Sequence, residues 1–274
     1  MPFIDFHTHA FPDDLAARAV PIIAREAGVP AFLDGKVSSL LRSMDQAGIE
    51  RSVVCSIATK PAQFQKIMDW SRSVRSSRLV LFPSIHPADP EAREHIRMIH
   101  AEGFLGIKLH PYYQEFYLDE PRMEPIYECM RECGLMVFCH TGFDIAFPRV
   151  RRADPERIWK VVTKFPGLKF IATHLGAWEN WDEVERWLIG KPVMLETSFA
   201  IPYCGADCSW RTRPIASCSA PIRPGPARRR KSSASRRWIC PPIANKNYSM
   251  IMPAACWGCP RCPEINIDKE KGPC

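Results

Sequence analysis

Four of the eight histidines in this 274-residue chain fall into patterns that can do chemistry. His7-Thr8-His9 follows an apolar run at 3–6. Alternate residues of an extended chain point the same way, so both imidazoles can face one point. Imidazole nitrogen suits zinc, iron and nickel. The competing reading of the pair is two solvated histidines at a polar strand end. His140 lies in Leu-Met-Val-Phe-Cys-His-Thr-Gly and His174 in Phe-Ile-Ala-Thr-His-Leu-Gly. Each ends an apolar run and is followed within two residues by glycine. Four such histidines meeting at one place predict metal-assisted catalysis.

Other polar residues accompany them. Lys108 and His110 alternate in Gly106-Ile107-Lys108-Leu109-His110-Pro111, so they can share a face. Lys108 can hold a substrate carboxylate as a point charge, or it can pair with a neighbouring acid. His110, Arg149 and Arg151 are further candidates for holding substrate, and Lys108 and His174 are the candidate catalytic pair. His86, in Ser-Ile-His-Pro, reads as a supporting or structural residue. His95 and His100 lie on a helical pattern, where solvation or capping is expected. Asp5 is a carboxylate inside an apolar run beside His7, placed to orient a histidine.

The elements that must position these residues alternate. Short apolar runs occur at 3–6, 52–57, 79–84, 104–109, 135–139, 168–173 and 193–197. They are nearly continuous in apolar residues, as strands buried on both faces should be. Helical spacing fills 37–48, 61–76, 90–102, 121–133, 155–165 and 179–190. Asp89-Pro90-Glu91, Glu120-Pro121 and Asp154-Pro155-Glu156 each put proline at a first helical position. Gly48, Gly103, Gly134 and Gly167 fall where helices should stop. Strand alternating with helix implies parallel strands. A doubly wound open sheet competes with a barrel. Histidines at the ends of the first, fourth, fifth and sixth runs favour a (β/α)8 barrel, whose strand ends converge on one mouth. No glycine-rich phosphate loop follows the first run.

With these residues in place, His7-Thr8-His9, Gly106-Ile107-Lys108-Leu109-His110-Pro111, His140-Thr141-Gly142 and His174-Leu175-Gly176 resemble the amidohydrolase-related metal-dependent hydrolases. The relatives of that family include aminocarboxymuconate-semialdehyde decarboxylase. The resemblance covers about residues 1–203. It implies a (β/α)8 TIM barrel with a divalent metal, commonly Zn2+. It also implies that His7, His9 and His140 are metal ligands, and that His174 is a ligand or the general base. The family further requires an aspartate at the end of strand 8, and this sequence has none where one is expected.

The strand–helix rhythm stops after Cys204. Residues 1–204 carry 24 Lys+Arg and 26 Asp+Glu, whereas residues 205–274 carry 13 and 4, so the net charge of +7 belongs to the tail. Eight of the 12 cysteines lie in residues 204–274. Reading the codons one base out of frame from Pro214 permits Asp-Arg-Leu-Leu-Phe-Gly-Ser-Asp-Ser-Pro-Trp. That is an apolar strand ending in the required aspartate, and a stretch of helical spacing follows it. We therefore expect residues 1–203 to be the barrel, and residues 204–274 to be an out-of-frame tail, disordered or misfolded, with strand 8 and the terminal helices lost. A zinc knuckle at Cys256, Cys259 and Cys262 lacks a second ligand pair at suitable spacing. The Arg228–Arg230 run with Lys231 lacks the interleaved aromatics of a nucleic-acid site.

The expected activity is hydrolysis of a small carboxylated, lactone-like or amide-like substrate through a metal-activated water. The alternatives are non-oxidative decarboxylation on the same fold, and an inactive frameshifted product. The expected partner is a small-molecule substrate, with no nucleic acid, no membrane and a homodimer left open. No apolar run approaches the ~20 residues that span a bilayer. The N-terminus lacks a basic-then-apolar leader, and the cysteines before residue 204 suggest buried thiols. A cytoplasmic location is expected.

Overall fold

The structure is a computed structural model that describes residues 3–198 and the backbone of residues 251–253. Its parallel strands are β1 (Phe3–Thr8), β2 (Ile49–Cys55), β3 (Leu79–Phe82), β4 (Gly106–Leu109), β5 (Met136–Cys139), β6 (Lys169–Ala172) and β7 (Met194–Leu195). The helices are α1 (Asp13–Ala27), α2 (Val37–Ala47), α3 (Phe64–Ser73), α4 (Ala92–Ala101), α5 (Glu124–Glu132), α6 (Pro155–Lys164) and α7 (Trp181–Trp187). All seven expected strands and all six expected helices are present. A short 3-10 turn precedes α5 at the expected Pro121, and another precedes α3 at Pro61.

The strands run in the order β3-β2-β1 and β4-β5-β6-β7. Lys108 N–H donates to the Pro83 carbonyl (2.9 Å) and Ser84 Oγ to the Lys108 carbonyl (2.7 Å), which joins the two sheets. Side chains alternate across this wall. Ile4, Phe6, Val53, Cys55, Phe82, Met136, Phe138 and Ile171 pack together inside it. Val54, Leu81, Ile107, Leu109, Val137, Cys139, Phe170 and Ala172 face outward into a second core beneath the helices. Each such large side chain contributes about 1.5–3 kcal/mol by leaving water. Two apolar layers, one inside the wall and one under the helices, make this a (β/α)8 barrel rather than an open sheet.

Three features differ from expectation. The helix α1 was not visible in the sequence. It carries Pro21 in its interior, a residue that normally breaks a helix, and it buries only Ala16 while Leu15, Ile22 and Ile23 stay exposed. Asp154 stands before α6 as expected, but its carboxylate meets Arg151 instead of capping a helix N–H. The expected loss of strand 8 would leave β1 and β7 each with an unpaired edge. On the β1 edge, β8 (Ile251–Pro253) instead lies antiparallel, with Phe3 opposite Pro253 and Asp5 opposite Ile251. An antiparallel strand is not the parallel eighth strand of such a barrel.

The remaining expectations for residues 204–274, the zinc knuckle and the basic run included, lie outside the described residues. Cys55, Cys129 and Cys139 are buried free thiols and Cys133 is a half-buried one. No described helix is long and apolar enough to cross a membrane.

Candidate metal centre

The register of β1 slips between Asp5 and Thr8, where three steps on β1 match two on β2. Such a bulge re-aims side chains. Phe6 and His7 consequently both reach the Phe138 ring inside the wall, at centroid distances of 6.0 and 4.9 Å.

Three histidines are anchored through Nδ1. His7 Nδ1 lies 3.1 Å from Glu196 Oε2 and 2.9 Å from Ser198 Oγ. His9 Nδ1 lies 2.9 Å from the Cys55 carbonyl. His174 Nδ1 lies 3.0 Å from the Ser198 carbonyl. Facing oxygen acceptors, these nitrogens carry the protons, which leaves a lone pair on each Nε2. His7 Nε2 is 3.2 Å from His9 Nε2. His140 is reversed: its Nε2–H donates to the Phe143 carbonyl (2.9 Å), and its Nδ1 stands 3.1 Å from His174 Nε2.

Lone pairs turned on one another at 3.1–3.2 Å repel unless a cation or a proton lies between them. Two ligands on one tetrahedral zinc ion, with bonds of ~2.0–2.1 Å, sit about 3.3 Å apart. The donor set therefore fits a divalent cation. Oxygen partners on the far ring nitrogen are also what metal-ligating histidines use to fix their orientation.

Lys108 lies against the same cluster and offers an N–H to the His7 lone pair. Its side chain is 1% exposed, and Nζ stands 3.2 Å from His7 Nε2 and 4.6 Å from the Phe138 ring centre. Here a primary amine of cationic type stands against an imidazole lone pair of the cluster.

Burial is the main electrostatic influence. It holds His7 well below the usual imidazole range, assisted by Lys108. The same holds for His174, assisted by His140, and for His140, assisted by His110. These rings are neutral, as ligation requires. Burial also lowers Lys108 and pushes Glu196 up to about 7.

The glycines after His140 and His174 have a steric reason. Gly142 has φ +83, and an added Cβ would stand 1.9 Å from the Trp178 backbone nitrogen. This close approach lets Thr141 O accept from Trp178 N–H and Trp178 O from Phe143 N–H, at 3.1 and 3.0 Å. The loop after β5 is thereby tied to the loop after β6. His174 and Leu175 themselves sit at φ 56 and 55, a left-handed region that costs of order 1–3 kcal/mol each away from glycine. A 2.6 Å bond from Leu175 N–H to the Glu196 carbonyl helps hold that turn.

The structure thus brings together His7, His9, Lys108, His140 and His174, with His110 stacked on His140 at 4.2 Å. Gln114 is fully buried; its Oε1 accepts the His110 N–H, and its amide donates to the Ala58 and Ile85 carbonyls. Arg149 and Arg151, expected to hold substrate, are engaged elsewhere. Arg149 pairs with Glu179, and Arg151 forks onto Glu183 (2.8 and 2.5 Å) while reaching Asp154. Asp5 accepts the backbone N–H of His7, while Glu196 and Ser198 hold the ring. His86 accepts the Ala88 N–H in a turn, and His95 meets Asp89 at the start of α4. His100 is exposed.

Sequence reasoning missed Glu196, Ser198 and Asp144. The signal for Glu196 was the one already used for Asp5, a carboxylate in an apolar strand. The strand-8 aspartate has no counterpart among the described residues.

The model of the amidohydrolase family matches residues 4–227. An uncharacterised TIM-barrel protein from Bordetella bronchiseptica superposes at a TM-score of 0.57 and 21% identity, over 72% of this chain and 75% of its own. A variant of 5-carboxyvanillate decarboxylase from Novosphingobium aromaticivorans has bound manganese and 3-methoxy-4-hydroxy-5-nitrobenzoic acid. It superposes at 0.51 and 16% identity, over 68% of each chain. At these identities the likeness is one of fold. No curated protein matches the chain at a significant level.

Proposed function

The chain belongs to the amidohydrolase family, whose members are metal-dependent enzymes, and from that premise we propose a hydrolase of small carboxylated substrates bearing a lactone or amide carbonyl. The observation that carries this reading is the set of neutral imidazoles whose lone pairs meet at the mouth. His7, His9 and His140 would hold a divalent cation, with zinc favoured by the nitrogen donors, and His174 stands beside them as the general base. Once bound, it would polarise the carbonyl and lower the pKa of a water toward ~7.

The chain's own residues supply the rest. His174, fixed through Nδ1, is placed to accept and return a proton at Nε2. Lys108 presents its amine from the barrel interior to a substrate carboxylate, with His110 beside the cluster. Glu196 and Ser198 keep the His7 ring in one tautomer.

Decarboxylation is the second reading, favoured by the fold shared with 5-carboxyvanillate decarboxylase. Lys108 would then hold the departing carboxylate, and His174 would deliver the proton that replaces it. The test uses frame-restored protein with candidate lactones and aromatic acids. Hydrolysis without CO2 release supports the first reading, and CO2 release without hydrolysis excludes it. For the chain as written, we read residues 1–203 as carrying this site and the tail as out of frame, with no aspartate where strand 8 is expected to end, so we assign it little turnover.

A further inference from the structure

The histidine cluster is largely closed over. His9 is exposed at its edge, but His140 and His174 are only 8% and 7% exposed, and Lys108 lies deeper still. A substrate reaches these groups only if something moves. Residues 144–149, in the loop after β5, bring Asp144 against the His110 and His140 rings. We propose that this segment is a flap that admits substrate to the cluster, latched shut by the ion pair of Arg149 with Glu179. The inference rests on the reading of the cluster as the reaction site and adds how that site is entered.

The ends of the segment are fixed and its middle is not. The buried Tyr112 donates its hydroxyl to both the Gly142 carbonyl (3.0 Å) and the Val150 carbonyl (2.7 Å), which staples the two ends together. Gly142 N–H also donates to the Ala153 carbonyl at 2.8 Å. From Asp144 to Arg149 the bonds that shape the loop are internal. Phe147 N–H donates to the Asp144 carbonyl (3.3 Å) and Ala146 N–H to Asp144 Oδ1 (2.8 Å). A loop with joined ends that is held together by its own groups can swing as a unit.

The contacts that hold the segment down are weak ones. Asp144 Oδ2 stands 3.4 Å from His110 Nε2 and 3.6 Å from His140 Nε2, beyond good hydrogen-bond length. Phe147 meets Tyr113 edge to face, with ring centres 4.8 Å apart. Arg149 reaches across to Glu179 in the loop after β6. The Arg149 side chain is 63% exposed, so salt screens this pair and it holds loosely in water. Glu179 has φ +66, a left-handed backbone strained for any residue but glycine, of the kind that gathers at switch regions. Breaking the pair therefore frees the flap while its stapled ends and the wall beneath stay in place.

The test measures access to the cluster in the chelator-stripped full chain. Diethyl pyrocarbonate acylates neutral imidazoles, and peptide mass spectrometry reads its rate at His110 and His140 against the exposed His100. Arg149→Met and Glu179→Gln should each raise the rate at His110 and His140 about 5-fold and leave His100 unchanged. About 0.5 M NaCl, where the Debye length falls to roughly 4 Å, should speed the wild type toward the variants and leave the variants as they are. Arg131→Met, which breaks an exposed pair with Glu128 on α5, should change nothing. Far-UV circular dichroism checks folding, and the salt series on the wild type decides if neither variant folds. Wild-type rates in both folded variants, or a wild-type rate indifferent to salt, overturn the flap and leave the proposed function standing. Folded wild type that takes up no zinc sinks the proposed function, and the acylation rates, read without metal, still decide the flap.

Discussion

His7, His9 and His174 each give a proton at Nδ1 to an oxygen and keep Nε2 for the cluster. The His7 anchor, Glu196, is fully buried and can be removed alone. Glu196→Leu should weaken Zn2+ binding about 10-fold, read by competition with a chromophoric chelator. Unchanged affinity would show that the anchor does not orient the ring.

Acidification should destabilise the metal-free protein. Burial holds His110 at about 4 and keeps His7, His140 and His174 well below their usual range. Below pH ~6.5 the unfolded chain takes up protons that the native state refuses, so stability falls as pH falls. Glu196 acts oppositely: raised to about 7, it loses stability as pH rises from its unfolded value toward 7. Four histidines outweigh one carboxyl, and Tm should be roughly 10 °C lower at pH 5 than at pH 8. A flat or rising Tm toward acid would contradict the neutral cluster. The four paired or strand-end histidines were legible because alternation and strand ends are local. Glu196 and Asp144 were not, because their partners are set by closure of the wall. Glu179 and Glu183, which take Arg149 and Arg151, likewise come from a distant loop and helix.

Among the elements, the loops after β5 and β6 set the geometry of the site. Gly142→Ala forces a Cβ against Trp178 and should lower stability by at least ~2 kcal/mol in urea denaturation. Gly103 has φ +74 with nothing within 4 Å, so Gly103→Ala should cost only about 1 kcal/mol. Equal effects would mean that the tie between the loops contributes nothing. The strands and six helices were legible because their apolar periods and proline starts agree with the barrel. The bulge in β1 was not, because a register slip depends on the neighbouring strand. The α1 helix stayed hidden because Pro21 in its interior reads locally as a helix breaker.

For the whole molecule, we read the wall from β1 to β7 as carrying the nitrogen ligands of the site, with no strand-8 aspartate among the described residues. The antiparallel β8 covers the β1 edge that the sequence left bare, since an open edge pairs with whatever extended segment reaches it. We read residues 204–274 as out of frame. Resequencing codons 195–265 should then reveal an inserted or deleted base, and the restored protein should turn over substrate that the chain as written does not. An unchanged coding sequence would point to gene decay.

The central claim is that the histidine cluster holds a divalent cation, and metal analysis of the full chain purified without chelator tests it most directly. At least one zinc or manganese ion per chain is predicted for the wild type, with that ion lost in folded His7→Asn/His9→Asn protein. Folded wild-type protein that takes up no divalent metal, or a double variant that keeps the wild-type content, would contradict it.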